Sequence, residues 1–263
     1  MSVDASSSFI QWVIFILQQY WPVFLRGAEY TLLISITGTI IGFCIGLLIG
    51  IIRTIPVDNR TGLFKRVSMK IVNIILLCYI EIFRGTPMMV QAMVIFYGVA
   101  LIYGIHLPIL LAGIVIVSIN TGAYMAEIVR GGILSIDRGQ FEAAHSIGMT
   151  HFQTMQSVVI PQAIRNILPA TSNEFVINIK DSSVLMVIGV TELFFQSKSV
   201  AGIYYKFFEV FLITSIIYLI MTFTVTRILR YLETKLDGPA VYTIHGSQTV
   251  PEASFRIVDR EKL

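Results

Sequence analysis

The chain has 263 residues, 55% of them apolar and only 13% charged, against the ~25% charged that is usual in a soluble domain. The missing charge implies that most of the surface faces lipid. A net charge of +3 does not suggest a nucleic-acid binder. Cys44 and Cys78, both inside apolar runs, are too few for a secreted disulfide framework and read as small core hydrophobes.

The first apolar stretch, residues 9–25, contains Gln11, Gln18, Gln19 and Pro22. It reads as a helix lying on the outer membrane interface with Trp12 and Trp21 as anchors, so that residues 1–25 form an interfacial segment. A sixth span is the alternative. No basic flank precedes this stretch and no small-residue cleavage site follows it, which argues against a removable signal peptide.

Residues 28–52 make the clearest span, since about 20 helical residues cross the hydrocarbon. Gly38, Gly42, Gly46 and Gly50 share one face of it, a seam that predicts close packing against another helix. A basic loop with Arg53, Pro56, Asp58, Asn59, Arg60, Gly62, Lys65, Arg66 and Lys70 follows. Residues 71–104 are apolar but interrupted at Arg84-Gly85-Thr86-Pro87, which predicts one broken or steeply tilted crossing. Glu81 and Arg84, three residues apart, are expected to pair on one helix face. Residues 108–126 form a third span, 170–193 a fourth containing Lys180 and Asp181, and 206–229 a fifth stopped by Arg227, Arg230 and Lys235. Residues 237–263 read as a flexible tail.

Five spans place the termini on opposite sides. The loops 53–70 and 127–165 and the tail then share one face, and their Lys and Arg content makes that face cytoplasmic. The N-terminus is expected outside and the C-terminus inside.

Loop 139–161 carries the most specific pattern. It contains Glu142, Ala143 and Ala144, then three residues, Gly148, nine residues, Val158, one residue, and Ile160-Pro161. A short helix over 140–147 would place Glu142 near its favourable N-terminal end, keep a narrow Ala-Ala surface and stop at a left-handed Gly148. Such an element can seat in a groove on a soluble partner. The loop resembles the EAA loop of ABC-importer permeases, with Val and Ile where Ile and Leu are usual. Stretches 81–87 (EIFRGTP), 120–132 (NTGAYMAEIVRGG), 161–174 (PQAIRNILPATSNE) and 180–192 (KDSSVLMVIGVTE) resemble the polar amino acid branch of that family, over about residues 25–232.

The resemblance implies an all-α polytopic membrane protein of the bacterial inner membrane, with a five-helix type I importer core over 26–236 beside the N-terminal interfacial helix. It implies a second permease subunit, identical or homologous, two ATP-binding subunits and an extracytoplasmic amino-acid-binding protein. Glu142, Ala143, Ala144 and Gly148 would couple the chain to the ATPase. There is no GxxxxGK[ST], HExxH or GxSxG pattern, so the chain is expected to be a transport subunit and not an enzyme, with ATP and Mg held by partner chains. His106, His145, His151 and His245 lack metal-ligand spacing. No metal, no cofactor in this chain and no nucleic-acid partner are expected. A secondary transporter or a channel for small polar solutes is the alternative, although no internal repeat is visible.

The substrate path is expected between the break at Gly85, Thr86 and Pro87 and the polar cluster Asp181, Ser182 and Ser183. A broken helix offers backbone N–H groups to a carboxylate, and Asp181 offers an anion to an ammonium. Asp181 pairing with Arg84 or Lys180 to hold the spans together is the structural alternative.

Overall fold

A computed structural model describes residues 8–55, 62–236, 241–244 and 255–258. The loop residues Pro56, Asp58, Asn59 and Arg60, and most of the tail, lie outside them. The described residues form helices α1 (Phe9–Thr54), α2 (Leu63–Gly85), α3 (Met88–Tyr103), α4 (Ile109–Leu134), α5 (Arg138–Ser146), α6 (His151–Thr154), α7 (Ile160–Asp181), α8 (Leu193–Tyr204) and α9 (Phe207–Leu236). A π-helical turn, Met155–Val159, joins α6 to α7, and a 3-10 helix, Ser182–Ile188, follows α7. Strands β1 (Val241–Ile244) and β2 (Phe255–Val258) pair antiparallel, Val241 opposite Val258. The described part of the tail, expected to be flexible, therefore holds a two-stranded ladder.

Helices α1, α4 and α9 are each long and apolar enough to cross a membrane. The pairs α2–α3 and α7–α8 qualify as bent crossings, with bends of 115° and 57°. Counting each bent pair as one span gives five crossings, each over a segment where the sequence places one. The fourth differs in extent: its helix rises from the preceding loop and leaves α-geometry at Asp181, well before residue 193.

The boundary expected near residue 25 is not a break. α1 runs unbroken for 46 residues, about 69 Å at 1.5 Å per residue, through Pro22. Trp12, Ile16 and Phe24 are buried against Leu193, Val200 and Ala201 of α8 and Val210 and Ile213 of α9. Trp12 is thus packed against α8 and α9, with the Lys206 ammonium 5.0 Å from its ring centroid. Trp21 is exposed. The spacing of Trp12, Ile16, Tyr20 and Phe24 explains this: four-residue steps align them on one face, and Tyr20 bonds Tyr204 across that face at 2.9 Å. Gln18 and Gln19 face away.

The glycine seam packs as predicted, and its partner is α4. A Cβ built on Gly38 would lie 2.5 Å from Val117 Cγ1, on Gly42 2.7 Å from Thr121 Cβ, and on Gly50 2.6 Å from Val129 Cγ1. At Gly46 the obstruction includes backbone, with Met125 C at 2.7 Å and Ala126 N at 2.8 Å. Beside this seam Asn178 of α7 is buried. Its amide donates to Thr39 Oγ1 (2.8 Å) on α1 and Thr121 Oγ1 (3.0 Å) on α4, tying three spans at one point. Cys44 and Cys78 are exposed, on outward helix faces and not in the core. An apolar run in a membrane protein does not distinguish a lipid-facing side from a buried one.

Gly46→Leu should separate α1 from α4 at a cost of about 1–3 kcal/mol, the usual range for overpacking. Gly131→Leu, where a Cβ meets nothing within 4 Å, is the matched control. In detergent, the first variant should lose monodisperse yield and melt earlier while the second behaves as wild type. Equal melting of all three would contradict the seam.

Candidate functional site

The loop after α4 is built from local rules. Asp137 caps α5, accepting from Gly139 N at 2.6 Å. α5 closes with two backbone bonds, Gly148 N to His145 O (3.0 Å) and Met149 N to Ala144 O (3.1 Å), the paired pattern of a glycine-terminated helix. Gly148 has φ +82°, the left-handed residue that the sequence predicts. Thr150 and Gln153 then bond reciprocally: Thr150 N donates to Gln153 Oε1 (2.8 Å), and Gln153 N to Thr150 Oγ1 (3.3 Å). That box starts α6.

Of the four predicted coupling residues, Ala144 is buried while Glu142, Ala143 and Gly148 are exposed. Phe141 packs against the buried cluster that includes Ile133, Ile136, Met155 and Val159. The inner side of α5 is therefore fixed to the spans, and its outer side is presented. Ile147 and Phe152 add apolar surface there, 79% and 72% exposed. A cleft of about 370 Å³ between the loop and the end of α1 is lined by Thr54, Leu134, Ile136, Phe141, Glu142 and His151.

The π turn has a chemical cause. Pro161 cannot donate to the carbonyl four residues back, and its ring crowds that group. The chain widens locally instead, with Ile160 N bonding Met155 O. From His151 to Asp181 the helical path has no gap, so the loop and Asp181 are ends of one rod. Glu127 of α4 ties the rod's neighbours together near the loop, accepting from Arg53 of α1 and, at 2.9 Å, from Arg130.

At the other candidate locus, α2 stops at Gly85 and α3 starts at Met88. Pro87 is the cap residue, one position before α3, and its carbonyl accepts from Val90 N (3.0 Å) and Gln91 N (3.1 Å). Sequence reasoning missed the side chains that hold this joint. The buried Gln91 amide donates to Phe83 O (2.9 Å) and Thr86 O (2.8 Å). Asn120 of α4 donates to Gln91 Oε1 (2.8 Å). The signal is in the sequence: neutral amides within an apolar run need partners as ions do.

Gly85, Thr86 and Pro87 are exposed. α3 packs through Ala92 into the cluster containing Leu185 and Ile188 of the 3-10 helix, so the two stretches expected to line the path lie on adjacent elements. Asp181 is exposed at the end of α7. Ser182 is fully buried and donates to Ile179 O (3.0 Å), so its hydroxyl proton is already engaged; Ser183 is partly exposed. Glu174, two turns before Asp181 and unremarked in the sequence reading, lies within electrostatic range of both Asp181 and Arg84. The expected Glu81–Arg84 pair does not form. Among the described residues neither they, Lys180 nor Asp181 enters an ion pair. The Arg84 guanidinium instead lies 5.5 Å from the Tyr124 ring centroid, a contact that offsets desolvation without a carboxylate.

The sequence pattern of the family described as "binding-protein-dependent transport system inner membrane component" matches residues 59–238. The chain belongs to this family. It is similar to the glutamine transport system permease protein GlnP of Escherichia coli (strain K12), 36% identical over 216 residues, covering 82% of this chain and 93% of that one. A probable amino-acid permease protein, YxeN of Bacillus subtilis (strain 168), is 33% identical over 83% of this chain and 93% of its own length. A crystal structure of an amino acid ABC transporter with histidines includes a chain that superposes with TM-score 0.73 at 37% identity, covering 89% of this chain and 99% of that one. The MetNI methionine transporter in inward-facing form shares the fold at 22% identity, with TM-score 0.62, over 81% of this chain and 96% of that one. The protein is thus a polytopic inner-membrane permease subunit of the ABC-importer kind, in its amino-acid branch. It works with ATPase partners and has no nucleotide motif of its own.

Gly148 tests the docking face. A Cβ there meets nothing within 4 Å, so the penalty expected for a larger residue comes from the positive φ, ~1–2 kcal/mol, and from obstruction of the partner. Gly148→Trp should lose the co-purifying ATPase; Gly148→Ala should retain most of it. Full retention of the ATPase by the Trp variant together with normal transport would remove α5 from the interface.

Proposed function

We propose that this chain, with a second permease subunit, two ATPase subunits and an extracytoplasmic binding protein, moves a polar amino acid into the cytoplasm. The amino-acid cargo is supported by the names of GlnP and YxeN. The cytoplasmic placement of α5 follows from the basic residues that gather on its face, Arg53, Lys65, Arg66, Lys70 and Arg138 among them. α5 is the coupling helix, with Glu142, Ala143, Ala144 and Gly148 at its centre.

The observation that carries the mechanism is the unbroken helical path from His151 to Asp181. One end adjoins the helix that meets the ATPase. The other ends in the Asp181 carboxylate, where the 3-10 helix that packs on α3 begins. Movement of the loop on ATP binding is passed along a rod whose far end carries Asp181. Cargo passes between Gly85, Thr86, Pro87 and Asp181, Ser182, Ser183, with Glu174 as a second anion. The exposed backbone of the joint suits a carboxylate and the two carboxylates suit an ammonium. Since Ser182 Oγ is engaged, the serine hydroxyl that meets cargo is that of Ser183.

Asp181→Asn decides between a path residue and a structural one. The complex should assemble, and the loaded binding protein should still stimulate ATP hydrolysis, while uptake falls at least tenfold, the loss of about 1.4 kcal/mol. Unchanged uptake with unchanged affinity would take Asp181 out of the path. Failure to assemble would make it structural.

A further inference from the structure

Among the described residues, the last crossing brings two charges that enter no ion pair into one cleft. Between Glu209 and Arg227, α9 has seventeen consecutive uncharged residues, 210–226. They span about 26 Å at 1.5 Å per residue, close to the ~30 Å hydrocarbon. Arg227 and Arg230 therefore stand at headgroup level. There α9 meets α7 across a cleft of about 260 Å³ whose polar lining is Ser172, Asn173, Thr226, Arg230 and Glu233. Neither Arg230 nor Glu233 enters an ion pair among the described residues, although they are three apart on one helix. Ser172 and Asn173 make no side-chain hydrogen bond there either; Thr226 spends its proton on Thr222 O at 2.7 Å. Nearby, the side chains of Leu219, Ile220, Phe223 and Ile228 on α9 are exposed and apolar, a surface suited to acyl chains.

We propose that this cleft binds the headgroup of a glycerophospholipid carrying both a phosphate and a primary ammonium, a phosphoethanolamine lipid. The phosphate accepts from the Arg230 guanidinium, a strong charge-assisted contact, and from the Asn173 amide. The ammonium donates to the Glu233 carboxylate. One cation, one anion and a neutral donor in one cleft match that pair of charges. A glycerol headgroup brings no cation for Glu233, and a trimethylammonium has no N–H to give it. Glu233 is partly buried, and the lipid's ammonium gives its carboxylate a charged partner in the cleft. Arg165, one turn before Pro169 on α7 and exposed, adds positive charge at the rim.

The test is lipid retention by the assembled transporter, read by native mass spectrometry after purification into nanodiscs of ethanolamine, choline or glycerol phospholipid. Cargo is absent, so failure here leaves the amino-acid reading untouched. Wild type should hold the ethanolamine lipid about tenfold more tightly than the choline lipid. Glu233→Gln should abolish that preference while keeping affinity for the glycerol lipid. Arg230→Gln should lose all three lipids, and Arg230→Lys should restore the phosphate contact. Equal retention of the three lipids by wild type, or an unaltered preference in Glu233→Gln, would overturn the proposal. So would spontaneous permease–permease crosslinking through Asn173→Cys in a background lacking Cys44 and Cys78, because a second subunit would then fill the cleft.

Discussion

The close approach of α1 and α4 is the constraint on which the remaining geometry rests. Lipid tails are as apolar as leucine side chains, so two membrane helices gain little by hiding from lipid and must gain by fitting. Gly38, Gly42, Gly46 and Gly50 let the α4 residues Val117, Thr121, Met125 and Val129 reach the α1 backbone. Because the contact runs along four turns, it fixes rotation as well as distance. The register places Arg53 against Glu127 at the end of α4 from which the loop departs. A shift of one helical turn, about 5.4 Å, would bring most knobs onto the next glycine, so it is this ion pair that singles out the register.

The same register positions the buried amides. Asn178 reaches Thr39 and Thr121 only while α1, α4 and α7 keep their present rotations. In a low-dielectric interior an unmet amide costs several kcal/mol, so such a node penalises every alternative packing. Gln91 and Asn120 do the same for the broken crossing. The 115° bend frees carbonyls that a continuous helix would have satisfied. Gln91 takes those of Phe83 and Thr86, and Asn120 holds Gln91 from α4. The break is thereby a fixed joint anchored to the central helix pair.

What the sequence made legible was local or periodic. The glycine repeat, the break at Arg84–Pro87, the positive φ of Gly148 and the five crossings follow from spacing and from residue-specific backbone chemistry. The misjudged features depend on what a residue faces. The 9–25 segment has the glutamines and aromatics of an interfacial helix, and only the presence of α8 and α9 turns its Trp12 face inward. α8 is short and lies in a stretch whose hydropathy looks like the end of one span and the start of another. Glu81 and Arg84 are correctly spaced to pair, but Tyr124 of α4 offers the guanidinium an alternative. Ser182 looks available in sequence and is consumed by its own helix. For the proposed path, the sequence offers Gly85–Pro87 and Asp181–Ser183 as candidates. The arrangement of Glu174 and Gln91 about them is not legible there, because it is set by helix rotation.

The rod from α6 to α7 is bracketed by two departures from α-geometry, and each bears on how force passes through it. At Met155–Val159 the helix is widened by Pro161, and at Ser182–Ile188 it is tightened into 3-10 form and then turned by Gly189 at φ +88°. Between them α7 keeps α-geometry through Pro169, where one backbone hydrogen bond is missing, so low-cost angular change belongs at this proline as well as at the ends. Under the proposed reading, the wide turn lets the α5–α6 unit, which its glycine closure and capping box hold as one piece, rotate relative to α7, and the far turn passes the motion to a segment packed on α3. On that reading the spans need not deform for the loop to act on the path. It is enough that α7 pivots about Asn178, which its amide contacts tie to Thr39 and Thr121.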